Sequence, residues 1–127
     1  MNLEKVIFGF FIVLAATLNF GFFIGDIERP DLHHIYELAA ALIVSLIATV
    51  LKFGDRTQIG AIHLSTSLVA DLQLIAAAIT WAVATHVTGE GMTATVTSSV
   101  VSLSGGALFA NIVSVIILIV ETVMLRR

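Results

Sequence analysis

The 127-residue chain has no cysteine, one proline, one tryptophan, one tyrosine and very little charge. Without cysteine there is no disulfide, no thiolate metal site and no thioether haem attachment. Charged residues make up 12% of the chain against 58% hydrophobic ones, and the mean hydropathy is +1.06. A soluble domain this small buries too modest a share of its surface to hide so much apolar sequence. The net charge of −3, with that hydrophobicity, excludes nucleic-acid binding, which needs a basic surface. No enzyme signature is present either: there is no HExxH, no phosphate loop and no nucleophile–base pair that can be placed together. What the chain does have is apolar residues in long blocks, separated by short polar clusters, as in a bundle of membrane spans.

The expected fold is therefore an all-α integral membrane protein, one four-span domain over residues 1–127. The spans are expected at about 6–25, 35–53, 58–86 and 98–124. The first block, Val6 to Gly25, is too long for a signal-peptide core and lacks a small-x-small cleavage site before Asp26, so it reads as a retained span. Pro30 and Asp31 mark the start of the second helix. In the turn "KFGDRTQ", Gly54 suits a helix C-cap, and Asp55 with Gln58 has capping-box spacing for the third helix. Lys5, Lys52, Arg56, Arg126 and Arg127 all fall on one side of this topology, while Arg29 stands alone in the first loop. The positive-inside rule then puts both termini and the "KFGDRTQ" turn in the cytoplasm. A small polytopic protein without cysteine or a targeting extension suits a bacterial inner (plasma) membrane. The fourth block is longer than the ~30 Å hydrocarbon core requires. Gly105-Gly106 either breaks it or admits a close neighbour, and close packing is the preferred reading.

Within the third span, "IHLSTSLVADLQLIAAAIT" carries an aspartate at position 71. Arg56 belongs at the headgroups, and Asp71 follows fifteen residues later, roughly 22 Å up a helix and near the bilayer midplane. An acid at that depth costs roughly 2.5–3.5 kcal/mol even on the lenient insertion scale. His63, Ser67 and Asp71 follow one another at i+4 steps on one face, flanked by Thr66 and Gln73, while Leu68, Leu72, Ile75 and Ile79 face elsewhere. Such a stripe points at protein or water, not lipid. One reading is structural: a protonated Asp71 bonded to Asn19, Asn111 or Ser45 of another span. The other is a cation path in which Asp71 repeats around the axis of a homo-oligomer as a ring of charge.

Residues 56–74 resemble the pore helix of Orai-type calcium channels: Arg56-Thr57 at the cytoplasmic end, an acid fifteen residues on at Asp71, then Gln73-Leu74. Those channels are also four-span proteins with both termini inside, although their pore helix is the first span. The resemblance implies that Asp71 selects the ion, that Leu64 and Ser67 face the pore, and that Arg56 stands at its cytoplasmic mouth. A second segment, "TWAVATHVTGEG" at 80–91, is similar to the pore-helix and filter region of potassium channels. It implies an alternative filter at Thr88, Gly89, Glu90 and Gly91, one residue shorter than in that family.

Other polar residues have their own readings. His33, His34, Glu37 and His86 map to the outer span ends, where imidazole and carboxylate could hold an external divalent metal. A pair such as His34 and His86 could instead ligate a b-type haem. The plainer expectation is no cofactor, with these residues among the lipid headgroups. Glu121 is expected to pair near Arg126, Asn19 and Asn111 to bond across helices, and Trp81 and Tyr36 to join an outer aromatic belt. The functional expectation is a cation-conducting homo-oligomer in the lipid bilayer, passing monovalent or divalent cations, with Asp71, Ser67, Thr66, His63 and Gln73 along the path. A proton-coupled carrier using the same stripe, and an accessory subunit of a larger membrane complex, are the alternatives.

Overall fold

The computed structural model describes residues 3–24, 35–55, 57–89 and 91–125. Four helices account for nearly all of them: α1 (Leu3–Phe23), α2 (Ile35–Lys52), α3 (Gln58–Ala82) and α4 (Ala94–Leu125). All four are long and apolar enough to cross a membrane. In hydrocarbon a helix satisfies its own backbone groups, so a chain this apolar has few other choices. Each helix packs on its sequence neighbours and α4 closes the ring against α1, giving an up-down-up-down bundle.

The interior is built from small side chains. Of the fifteen buried apolar residues among the described ones, eight are alanines, among them Ala41, Ala70, Ala77 and Ala107. Large residues such as Phe10, Val50, Leu72 and Phe109 are turned outward. Between membrane helices, where lipid is as apolar as leucine, small residues allow the close backbone approach that gives dispersion contact. Larger side chains fill the two ends of the interior: Phe22, Leu38 and Leu74 in the main cluster, and Phe8 with Ile12 in a second one. α4 is unbroken at Gly105 and Gly106. A Cβ at Gly105 would strike the Phe23 ring, and one at Gly106 would strike the Gln73 amide. The two glycines are thus close-contact points for α1 and α3, not a hinge.

The 52–57 turn departs from the sequence expectation. The N-cap of α3 is Thr57, whose hydroxyl accepts from the Gly60 N–H at 2.9 Å. Asp55 acts one step earlier. Its Oδ1 accepts from the Thr57 N–H at 2.9 Å and from the Thr57 hydroxyl at 2.7 Å. Two cap-competent residues stand close together in this turn, and the one nearer the helix takes the role. Gly54 does not adopt a left-handed conformation; Gly89 (φ 73°) and Gly91 (φ 74°) do. They follow a π turn over Val83–Val87 that ends the third span, and the Gly91 N–H donates back to the Ala84 carbonyl at 2.8 Å. The Pro30-Asp31 helix start lies outside the described residues.

Two outcomes follow for the 52–57 turn. Thr57→Ala removes the cap and should lower stability by about 1 kcal/mol, measured as thermal unfolding in detergent micelles. The Thr57 side-chain hydrogen bond, followed by its backbone one, holds the Asp55 carboxyl below its ordinary value of 3.8. The stabilisation is therefore present above that value and lost as pH falls through the depressed one. Asp55→Asn should melt below wild type at neutral pH, with the gap closing as the pH drops under 3.8.

Candidate functional site

Asp71 lies thirteen residues past the start of α3, about 20 Å along the helix. It is 6% exposed and turned towards α2. Ser45 donates its hydroxyl to Asp71 Oδ1 at 2.6 Å, and Thr49 donates to Oδ2 at 2.5 Å. Ser45 and Thr49 are one helical turn apart, so their hydroxyls meet the two carboxyl oxygens of one residue. Thr49 Oγ1 is also 3.0 Å from the Ser45 carbonyl oxygen. Its single hydrogen thus has two acceptors within reach.

The rest of the stripe also points inward. His63 and Ser67 are buried. His63 Nδ1 shares a hydrogen bond with the Ser114 hydroxyl at 2.6 Å, while its Nε2 has no partner among the described residues. Thr66 is half-buried and satisfied within its own helix, donating to the His63 carbonyl at 2.8 Å. Gln73 is half-buried against Gly106, with its amide oxygen unpartnered. Other helices add to the polar interior: Asn19 from α1, and Thr97, Ser104 and Asn111 from α4 are all buried. Asn19 and Asn111 were expected to bond across helices, yet neither side chain has a hydrogen-bond partner among the described residues. The same holds for Ser67, Thr97 and Ser104. Polar groups at this depth are stable only when hydrogen-bonded, so this interior suits water or a polar ligand.

At the end of the bundle that holds Lys5 and the 52–57 turn, a cavity of ≈ 340 Å³ is bordered by Glu4, Lys5, Lys52, Asp55 and Glu121. Glu121 pairs with Lys5 of α1 at 2.5 Å; Arg126, the neighbour its spacing suggested, lies outside the described residues. The antiparallel closure of α4 on α1 brings the two together. Lys52 is only 5% exposed. Its ammonium reaches Asp55 at 3.4 Å and lies 4.3 Å from the centre of the Phe8 ring. The same ring meets His63 edge-on, with centroids 4.9 Å apart. Phe8, itself buried, thus touches both Lys52 of the charged cavity and His63 of the polar stripe.

The expected ring of Asp71 side chains on an axis between copies requires this acid on an outer face. Its carboxyl is turned inward to α2, and Ser67 and His63 are enclosed with it. The alternative filter segment is a tight connection at the opposite end, with Thr88 and Gly89 exposed and Gly91 half-buried. Arg56, Glu90, His33 and His34 lie outside the described residues. Glu37 packs against Gly21 at the start of α2, and His86 is exposed in the π turn. Among the described residues no three His, Asp or Glu side chains group as a metal site would. Trp81 packs on Phe22, 6.1 Å between centroids, and only Tyr36 is fully outward.

Sequence reasoning missed Thr49, Lys52 and Phe8. The signal for Thr49 was its i+4 spacing from Ser45 in a stretch, Leu38 to Leu51, that is otherwise wholly apolar. Ser45→Ala and Thr49→Ala should each cost about 1–3 kcal/mol by leaving a buried carboxyl short of a donor. In an Asp71→Ala background each cost should shrink to a few tenths, as a double-mutant cycle in micelles would record.

No curated protein matches the chain, and no solved structure does. A family model matches residues 32–122, from just before α2 almost to the end of α4. The chain belongs to that family, described as a family of unknown function, DUF6394.

Proposed function

We propose that this protein conducts cations across a membrane through the interior of its four-helix unit, with Asp71 as the acid that holds the ion. The observation carrying this reading is a carboxyl near the middle of a membrane-length helix, turned into an interior where all four helices contribute buried polar groups. Ionisable residues at such depth are costly, face the bundle interior and mark ion or proton pathways. Lys5 and Lys52 lie at one end of the bundle, and in the sequence Arg56, Arg126 and Arg127 follow the span ends on that side. The positive-inside rule supports that end, with both termini, as the cytoplasmic one; the membrane proposed is a bacterial inner membrane. The charged cavity there is the inner vestibule. Because the stripe is enclosed within one bundle, assembly into a homo-oligomer would repeat the path instead of creating it.

Reconstitution in liposomes tests the reading. Wild-type protein should pass potassium, sodium, calcium or protons down an imposed gradient. Asp71→Asn should cut that flux by about tenfold or more, equivalent to ~1.4 kcal/mol. Flux indifferent to the substitution would place the ion elsewhere, with the 88–91 connection next in line. A well-folded protein that passes no cation would end the reading in favour of a subunit of a larger membrane complex.

A further inference from the structure

We infer that the ion held at Asp71 is the proton, and that Thr49 and Ser45 are the positioning residues that let the carboxyl take it up and release it without moving; this rests on the conduction reading above. The oxygen spacing is the first argument. Oxygens that share a divalent cation at 2.0–2.6 Å in octahedral geometry stand about 2.9 Å or more apart. The Ser45 and Thr49 oxygens approach Asp71 at 2.6 and 2.5 Å, the spacing of O–H···O⁻ hydrogen bonds. In this arrangement a hydrogen lies between each pair of oxygens. Both carboxyl oxygens are engaged in this way.

The second argument is the double acceptor at Thr49. With Asp71 ionised, the Thr49 hydrogen points to Oδ2. When Asp71 gains a proton on Oδ2, that O–H donates to Thr49 Oγ1, and the Thr49 hydrogen turns to the Ser45 carbonyl oxygen, 3.0 Å away. Releasing the proton reverses both turns. One proton enters, one leaves, and no heavy atom has to move. A hydroxyl with a single acceptor would lose its bond in one of the two states.

The third argument is what faces the carboxyl. α2 contributes Lys52 one turn beyond Thr49, and α3 contributes His63 two turns below Asp71. α1 and α4 bring only neutral groups to the interior, namely Asn19, Thr97, Ser104, Asn111 and Ser114. Their charged residues, Glu4, Lys5 and Glu121, stay at the vestibule. Between vestibule and carboxyl lie His63, with one ring nitrogen on Ser114 and the other unpartnered, then Ser67, then Asp71, at steps of about 6 Å along α3, which bridging water would have to join into a proton relay. A neutral imidazole accepts a proton at one nitrogen and gives one up at the other. Phe8, in contact with both Lys52 and His63, puts an apolar ring beside the vestibule end of this path.

The test uses the full chain in liposomes with a pH-sensitive dye inside and a membrane potential imposed across them. Proton uptake is expected in wild type. It should be lost in Asp71→Asn, fall at least about tenfold in Thr49→Val, as for loss of a positioned proton-transfer partner, and return in Thr49→Ser. Infrared difference spectra should show a protonated-carboxyl C=O band that titrates in wild type, is absent in Asp71→Asn, and shifts in frequency in Thr49→Val. Transport of sodium, potassium or calcium without protons, still abolished by Asp71→Asn, would keep the conduction reading and overturn this inference. So would proton flux unaffected by Thr49→Val, or a wild-type spectrum with no titrating carboxyl. Folded protein that transports nothing would remove both.

Discussion

The structure turns on one exchange of partners: a carboxyl removed from water and given two hydroxyls instead. An unpaired carboxylate buried in a low-dielectric interior is far more costly than any single helix contact offsets. Ser45 and Thr49 supply donors to both of its oxygens, and in doing so they fix α2 against α3 in rotation and in register. A shift of α2 by one residue would rotate both hydroxyls about 100° away. The alanine faces of the same helices would accept that shift with little loss, because small side chains pack in many registers. The polar contact, not the apolar packing, makes the α2–α3 arrangement unique.

That division of labour runs through the bundle. Large apolar residues lie outside, where lipid can solvate them, and small or polar ones lie inside. Cohesion comes from close approach at points such as Gly105 against Phe23 and Gly106 against Gln73, since no hydrophobic force draws helices together within a bilayer. The interior is consequently not sealed by bulk. At the termini end Phe8 touches both the Lys52 ammonium and the His63 ring. Lys52, nearly buried, has the Asp55 carboxylate and the ring face as its partners,.

Much of this was legible in the sequence. The four helices follow from block length and hydropathy alone, and the i+4 stripe through His63, Ser67 and Asp71 located the face that turns inward. What the stripe could not disclose was the scale of the enclosure. A polar face needs something other than lipid, and a neighbouring copy would serve as well as a neighbouring helix of the same chain. Thr49 was hidden for a related reason: a threonine in an apolar helix commonly bonds its own backbone four residues back, so its presence says nothing about a distant carboxyl. Lys52 read only as one of the basic residues that set the orientation of the spans. Its burial depends on Phe8 of another helix, which only the closed bundle brings near. The Thr57 cap was missed by two residues because Asp55 and Thr57 are both competent, and local sequence does not rank them.

The same geometry explains why an aspartate stands where asparagine or serine would hold two helices together at lower cost. A purely structural contact gains nothing from an acid, since interhelical hydrogen bonds in membranes average only ~0.6 kcal/mol. An acid differs from its amide in one respect that matters here: it has two protonation states of nearly equal shape. Thr49 can serve either state, by donating to Asp71 or by accepting from it while donating to the Ser45 carbonyl. His63 has the same property at its ring nitrogens, with one anchored on Ser114 and one unpartnered. Both titratable side chains are buried in the described interior, and they lie on one face of one helix with a serine midway between them. The costly residue and its adaptable partners are therefore parts of one arrangement: stability requires the hydroxyls, and the proton proposed for Asp71 would account for the choice of an acid.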